Sequence, residues 1–105
     1  MEFSTKYNVV TVLKGENTVI ADTDGKYVIN TTGNEGMATG GSGDVLSGIV
    51  ASFIGQGLSF FDAAVLSVYL HGRAGDIAAD KLGIFGMIAS DLVDNLPSAI
   101  KELLV

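Results

Sequence analysis

The 105-residue sequence has no cysteine and no tryptophan, a single proline, a single histidine and only six basic residues. Without cysteine, disulfide frameworks, thiolate zinc sites and thiol nucleophiles are excluded. The basic residues, Lys6, Lys14, Lys26, Arg73, Lys81 and Lys101, are spread along a chain of formal net charge −6. Such a chain offers no basic face to neutralise a nucleic-acid backbone, and no nucleic-acid partner is expected. A small anion is a different matter, because a few backbone N–H groups and one lysine hold it locally whatever the overall sign. No apolar run is long enough to cross a bilayer; the longest, around residues 45–55, is broken by Ser and Gly. The N-terminus "MEFSTKY" lacks an apolar signal core. No membrane partner is expected, and the expected compartment is the cytoplasm.

What remains is apolar and glycine-rich: 48% hydrophobic residues against 17% charged ones, with 14 glycines. That balance supports a single globular domain over residues 1–105 with one core. "NVVTVL" (8–13) is β-branched and almost continuously apolar, the pattern of a strand covered on both faces. "TVIAD" (18–22) and "YVIN" (27–30) follow as short strands around the turn "TDGK", whose Asp-Gly is a strong hairpin signal. The acidic "DTDG" (22–25) lacks the closing Glu of a calcium loop and reads as that turn.

Residues 31–42 are polar and glycine-rich, a loop. From there Val45, Leu46, Ile49, Val50, Phe53 and Ile54 follow helical spacing, so a helix should start at or next to Asp44 and end near 55–57. "SFFD" (59–62) resembles a capping box opening a second helix that should stop at Gly83. A third helical stretch runs over 87–104, with Pro97 starting a new turn or kinking it. The order gives an α/β chain, strands first, then a glycine-rich loop and about three helices. Only part of a layered α/β domain is present in that order, and "NVVTVL" reads as a central strand without earlier neighbours.

The stretch "NEGMATGGSGDVLSG" (34–48) holds five glycines in fifteen residues. Glycines before a helix N-terminus let backbone N–H groups approach a phosphate with no Cβ in the way. "GGSGD" (40–44) before an apolar helix therefore reads as an anion hole. Neither the P-loop nor the dinucleotide-binding pattern fits, since no Lys-Ser/Thr follows the glycines and Leu46 stands where a last Gly would belong. Asp44 at the junction either caps the helix or acts as a general base beside the hole. Gly72 and Gly75 within a helix, each costing about 1 kcal/mol against Ala, suggest close packing beneath the loop. His71, without further ligands at metal spacing, reads as a buried, hydrogen-bonded structural residue. Met37 reads as apolar lining or core, and Asp76 as a surface or capping group.

"GMATGGSGDVLSG" closely resembles the motif of the ATP/ADP-dependent NAD(P)H-hydrate dehydratases of the ribokinase-like superfamily. The likeness extends to "VVTVLKGENTVIAD" and "AAVLSVYLHGRAGDIAA", nearly the whole chain. It implies a partial ribokinase-like fold, the C-terminal portion of a larger domain. It also implies a repair reaction in which hydrated NADH or NADPH is phosphorylated on its hydroxyl by a nucleotide and then loses phosphate. By the same resemblance Asp44 is the base, Gly41, Ser42 and Gly43 form the anion hole, and Lys14, Gly15, Glu16, Asn17 and Thr18 with Gly43 contact the nucleotide. Asp44 would then face the hydrated substrate, and Asn34 is either a plain loop residue or a contact to nucleotide or substrate. ATP or ADP with Mg²⁺ is the implied cofactor, though no protein metal ligands can be read. The rest of the pocket would come from a missing N-terminal half or from a homo-oligomer. Two rival readings keep the residues: a ribokinase-like kinase of a small alcohol, and an inactive self-associating module.

Overall fold

The computed structural model describes residues 9–14, 17–37 and 40–104. Three short strands, β1 (Thr11–Leu13), β2 (Thr18–Ala21) and β3 (Tyr27–Asn30), form an antiparallel sheet in the order β1-β2-β3. A single 3-10 turn, Glu35–Met37, lies in the glycine-rich loop. Helices α1 (Ser42–Gly55), α2 (Phe60–Leu82) and α3 (Ala89–Leu104) follow.

The register Val12↔Ile20↔Val28 puts one apolar row across the sheet. That row packs on α1 and α2 through Leu46, Phe61, Ala64 and Val68. Ile20 is fully buried. The hairpin between β2 and β3 closes as its sequence predicts, with Gly25 at φ 89°. Asp22 N–H donates to Lys26 O at 2.7 Å, and Lys26 N–H to Asp24 Oδ1 at 2.9 Å.

β1 differs from its sequence expectation. Among the described residues it is an edge strand, and Val9 and Leu13 are 41% and 49% exposed. Its residues are apolar on both faces, but only the face carrying Val10 and Val12 meets the core among the described residues. The other face leaves Leu13, Tyr27 and Ile29 about half exposed.

Helix α2 is the central element, touching α1, α3, β2 and β3. It starts at Ser59, whose Oγ accepts the Asp62 N–H at 3.1 Å, and it ends at Gly83, both as the sequence predicts. A buried stripe of small residues on α2, including Ala63, Ala64, Ala74 and Ala78, lets neighbours come close. On the far side Leu70 and Ala74 meet Ala99 and Leu96 of α3. Arg73 adds a two-pronged bond to Glu102, with Nε to Oε1 at 3.0 Å and Nη2 to Oε2 at 2.8 Å. Pro97 neither starts a new helix nor ends one, for α3 runs through it. The i−4 carbonyl that proline leaves without its helical donor belongs to Val93, a residue that is 51% exposed.

The glycine-rich loop lies directly on α2. A Cβ on Gly72 would come within 2.7 Å of the carbonyl carbon and Cβ of Thr32, and one on Gly75 would run into the side chain of Met37. Thr32 is seated further by its hydroxyl, which donates to the Tyr69 carbonyl at 3.1 Å. Gly72→Ala should therefore destabilise the chain by about 2 kcal/mol, overpacking against backbone outweighing the gain in helix propensity. Gly75→Ala should cost less, because the flexible Met37 can move away. Gly48→Ala, in α1 with nothing within 4 Å of its Cβ position, should stabilise by about 0.5–1 kcal/mol. Urea unfolding of the three variants measures the order, and equal effects at Gly72 and Gly48 would contradict the close approach.

Candidate functional site

The end of the loop turns into α1 through Gly41, whose φ of 88° and ψ of −8° place it in the left-handed region. A side chain there would be strained, and its Cβ would also lie 3.2 Å from that of Ala89. Gly41 O accepts the Val45 N–H at 3.1 Å, closing the first turn. Among the described residues no side chain caps this helix. The contrast within the chain is informative: α2 has its Ser59 cap, and at the start of α3 the Ile88 N–H donates to Asp91 Oδ2 at 2.7 Å. The first-turn N–H groups of α1 lack such an acceptor, and the helix dipole leaves partial positive charge there.

Asp44 is not the N-cap. It sits at the third position of α1, exposed, with neither a hydrogen bond nor an ion pair to another described residue. Of the two sequence readings, the capping one is thereby removed. A Cβ at Gly40 or Gly43 would meet nothing within 4 Å. Packing within the chain does not call for glycine at these positions, and the open space lies outside the loop.

From this terminus a cleft of about 570 Å³ runs along α1 to Ile54; Lys14, Gly43, Asp44 and Ser47 line its polar end, and Val12, Leu46, Val50, Ala51, Ile54 and Val68 its apolar remainder. The fold thus brings together Lys14, Gly43 and Asp44, separated by about thirty residues of sequence. The lysine and the carboxylate share the cleft without closing an ion pair. Asn17 and Thr18 do not line it, and Thr18 is taken up in β2 opposite Asn30. Gly15 and Glu16 lie outside the described residues. Asn34 is turned inward: its Nδ2 donates to Asp76 Oδ1 at 3.0 Å, and its Oδ1 accepts the Gly36 N–H at 3.0 Å. Met37 packs in the core with Ala78, Met87 and Leu92.

Two residues of α2 hold the loop from beneath. Asp76 accepts the Gly33 N–H at 3.1 Å as well as the Asn34 amide, with Arg73 at 3.8 Å. Its anchoring role was not visible in the sequence, since the partners lie more than forty residues apart. His71, 5% exposed, reaches Ser42, itself 4% exposed. Its Nε2 lies 3.0 Å from the Ser42 carbonyl oxygen, so this nitrogen carries the proton and donates; Ser42 Oγ is 3.3 Å from the same nitrogen. The buried, hydrogen-bonded role read from the sequence is what the fold shows. Burial pushes the His71 pKa below its ordinary 6.5; the bond to Ser42 opposes this, and the nearby Lys14 charge adds to it.

Among the described residues no helix is long and apolar enough to cross a membrane, and no three His, Cys, Asp or Glu side chains cluster as metal ligands.

A family model described as NAD(P)H-hydrate dehydratase matches residues 1–98. The chain is 52% identical over 102 residues to a bifunctional NAD(P)H-hydrate repair enzyme of Moorella thermoacetica, covering 97% of this chain and 19% of that one. It is 41% identical over 87 residues to an ADP-dependent (S)-NAD(P)H-hydrate dehydratase of Neisseria meningitidis, covering 82% of this chain and 29% of the other. A solved structure of an ADP/ATP-dependent NAD(P)H-hydrate dehydratase from Bacillus subtilis, co-crystallized with ATP/Mg²⁺, superposes with a TM-score of 0.90 at 36% identity. It matches 96% of this chain and 36% of that one. The chain thus spans between about a fifth and somewhat over a third of these relatives.

The His71 environment has a consequence for stability. Below pH 6.5 the unfolded chain takes up a proton that the folded chain, with its depressed pKa, does not. The group's contribution is therefore fully present above pH 6.5 and is lost as pH falls toward the folded-state value. Urea melts at about pH 7.5 and about pH 5.5 should show a larger loss for the wild type than for His71→Gln, which cannot titrate. Equal losses would remove the assignment.

Proposed function

The chain belongs to the NAD(P)H-hydrate dehydratase family, with a ribokinase-like fold, and from that premise we propose that it forms the nucleotide-phosphate and catalytic-base portion of such an enzyme. The observation that carries this reading is the cleft shared by Lys14, Gly43 and Asp44 at an uncapped helix N-terminus. In it the first-turn N–H groups of α1 and the Lys14 ammonium hold the phosphates of ADP or ATP. We assign Gly15, Glu16, Asn17 and Thr18, which follow Lys14 in the sequence, to contacts with the rest of the nucleotide. Gly41 sets the backbone so that the N–H groups of Ser42 and Gly43 begin the helix, and the empty space over Gly43 admits a phosphate oxygen.

Asp44, exposed and unpaired, takes the proton from the hydroxyl of hydrated NADH or NADPH as that oxygen attacks the terminal phosphoryl group. The phosphate ester then loses phosphate, which restores the reduced nicotinamide. Mg²⁺ would be carried on the nucleotide's own phosphates and several waters, which leaves Asp44 free as the base. Its role when bound is to neutralise phosphate charge. We take the remaining wall of the hydrate pocket to come from chain outside this segment or from a second copy, and the compartment to be the cytoplasm.

Calorimetric titration of the chain with ADP and ATP in Mg²⁺ tests the phosphate site. Lys14→Ala should weaken binding about tenfold or more, the loss of one charge-assisted contact. Unchanged affinity would remove Lys14 from the site. For the chemistry, this chain can replace the matching segment of the Moorella thermoacetica relative. The hybrid should restore nicotinamide absorbance, and Asp44→Asn should cut its turnover by about 10²–10⁴ without weakening nucleotide binding. Turnover surviving that change would rule out Asp44 as the base, and a stable phosphate ester as product would favour a kinase.

A further inference from the structure

The carbonyl of Ser42 and the N–H of Gly43 belong to one amide group. On its inner side the carbonyl accepts the His71 Nε2–H at 3.0 Å, and both His71 and Ser42 are buried. On its outer side Gly43 is exposed and lines the cleft beside Lys14 and Asp44. A donor on the carbonyl draws electron density through the amide and makes its N–H a stronger donor, as in any chain of hydrogen bonds. It also fixes the rotation of the peptide plane, which glycines on both sides of Ser42 would otherwise leave loose.

Resting on the phosphate-binding reading above, we propose that His71 is a positioning residue for the anion site, orienting and polarising the Ser42–Gly43 peptide so that the Gly43 N–H binds phosphate. His71 does not touch the anion; it acts through the peptide. The remainder of the loop is held by the same stretch of α2, with Tyr69 O on Thr32 and Asp76 on Gly33 and Asn34. Both ends of the glycine-rich loop are thus referred to residues 69–76. Burial and the Lys14 charge favour the neutral ring, so the histidine works as a hydrogen-bond donor rather than as a second cation beside the anion.

The test uses the full chain with three variants and two readouts. His71→Phe keeps a ring and removes the donor, His71→Gln supplies an amide N–H at about the position of Nε2, and His71→Asn is too short to reach. The Phe and Asn variants should lose about fivefold to tenfold in ADP affinity, with adenosine affinity within about twofold of wild type, and Gln should recover most of the ADP binding. In nucleotide-free ¹⁵N–¹H spectra the Gly43 amide proton should move upfield in Phe and Asn and return in Gln. A folded Phe variant that binds ADP like wild type, or loses adenosine binding equally, overturns the proposal. If Phe prevents folding, Gln and Asn decide, and equal ADP affinities overturn it. If the wild-type chain binds no ADP, the phosphate reading itself fails. The Gly43 amide then decides alone: unmoved in the variants, it overturns the role of His71; moved and restored, it supports it.

Discussion

The close approach of the glycine-rich loop to α2 is the constraint on which the rest of the site depends. Two glycines in the middle of a long helix are unfavourable taken alone, at about 1 kcal/mol each. Here they leave room for Thr32 and Met37 to lie where side chains would otherwise project. Hydrogen bonds from Thr32 and Gly33 and the Asn34 amide then fix the loop at one end, and His71 fixes it at the other. The N-terminus of α1 is consequently placed by α2 and not by a cap of its own. Lys14 comes to the same spot by a separate route, since Val10 and Val12 of β1 share a core with Leu46 of α1 and Val68 of α2.

Helix ends distinguish structural from functional parts of this chain. α2 satisfies a first-turn N–H group with the Ser59 hydroxyl, and at the entry to α3 Asp91 accepts the N–H of Ile88, the residue before the helix. Such bonds are each worth about 1 kcal/mol. α1 forgoes one: Gly41 has no side chain to offer, and Asp44 lies too far into the first turn to act as the N-cap. Asp44 still complements the dipole through space, but its oxygens are unengaged. An uncapped terminus, a free carboxylate and a lysine around one opening form a polarity that folding alone does not require. A bound anion would supply the missing acceptor.

Much of this was legible in local sequence because the devices involved are local. The Asp-Gly hairpin, the Ser59 cap, the stop at Gly83 and the apolar spacing of α1 each act within a few residues. The double-glycine spacing of Gly72 and Gly75 also pointed correctly to tight packing under the loop. Long-range pairings were less visible. Nothing in the sequence near Asp76 names Gly33 and Asn34 as its partners, and Asn34, which reads either as a plain loop residue or as a contact to nucleotide or substrate, is occupied by an internal carboxylate. β1 fails differently. Its apolar pattern correctly reports two faces of low polarity, but pattern alone does not say whether both faces find a partner, and only one does among the described residues.

The half-exposed face bearing Leu13, Tyr27 and Ile29 and the share of the relatives that this chain spans bear on how binding and chemistry divide. The Lys14–Gly43–Asp44 cleft is assembled by contacts that all lie within the chain: β1 to β2, Val10 and Val12 to α1 and α2, and the loop to α2. Its geometry borrows nothing from the exposed sheet face. Phosphate recognition needs only N–H groups and one cation in fixed relation, and the proposed site draws both from within this core. The proposed dehydration would need more, because a hydroxyl reacting at Asp44 would have to be held there with water excluded, and Asp44 stands at an open surface. On the proposed reading, phosphate affinity is therefore separable from turnover. A second surface brought over Asp44 would convert the one into the other without rearranging the loop.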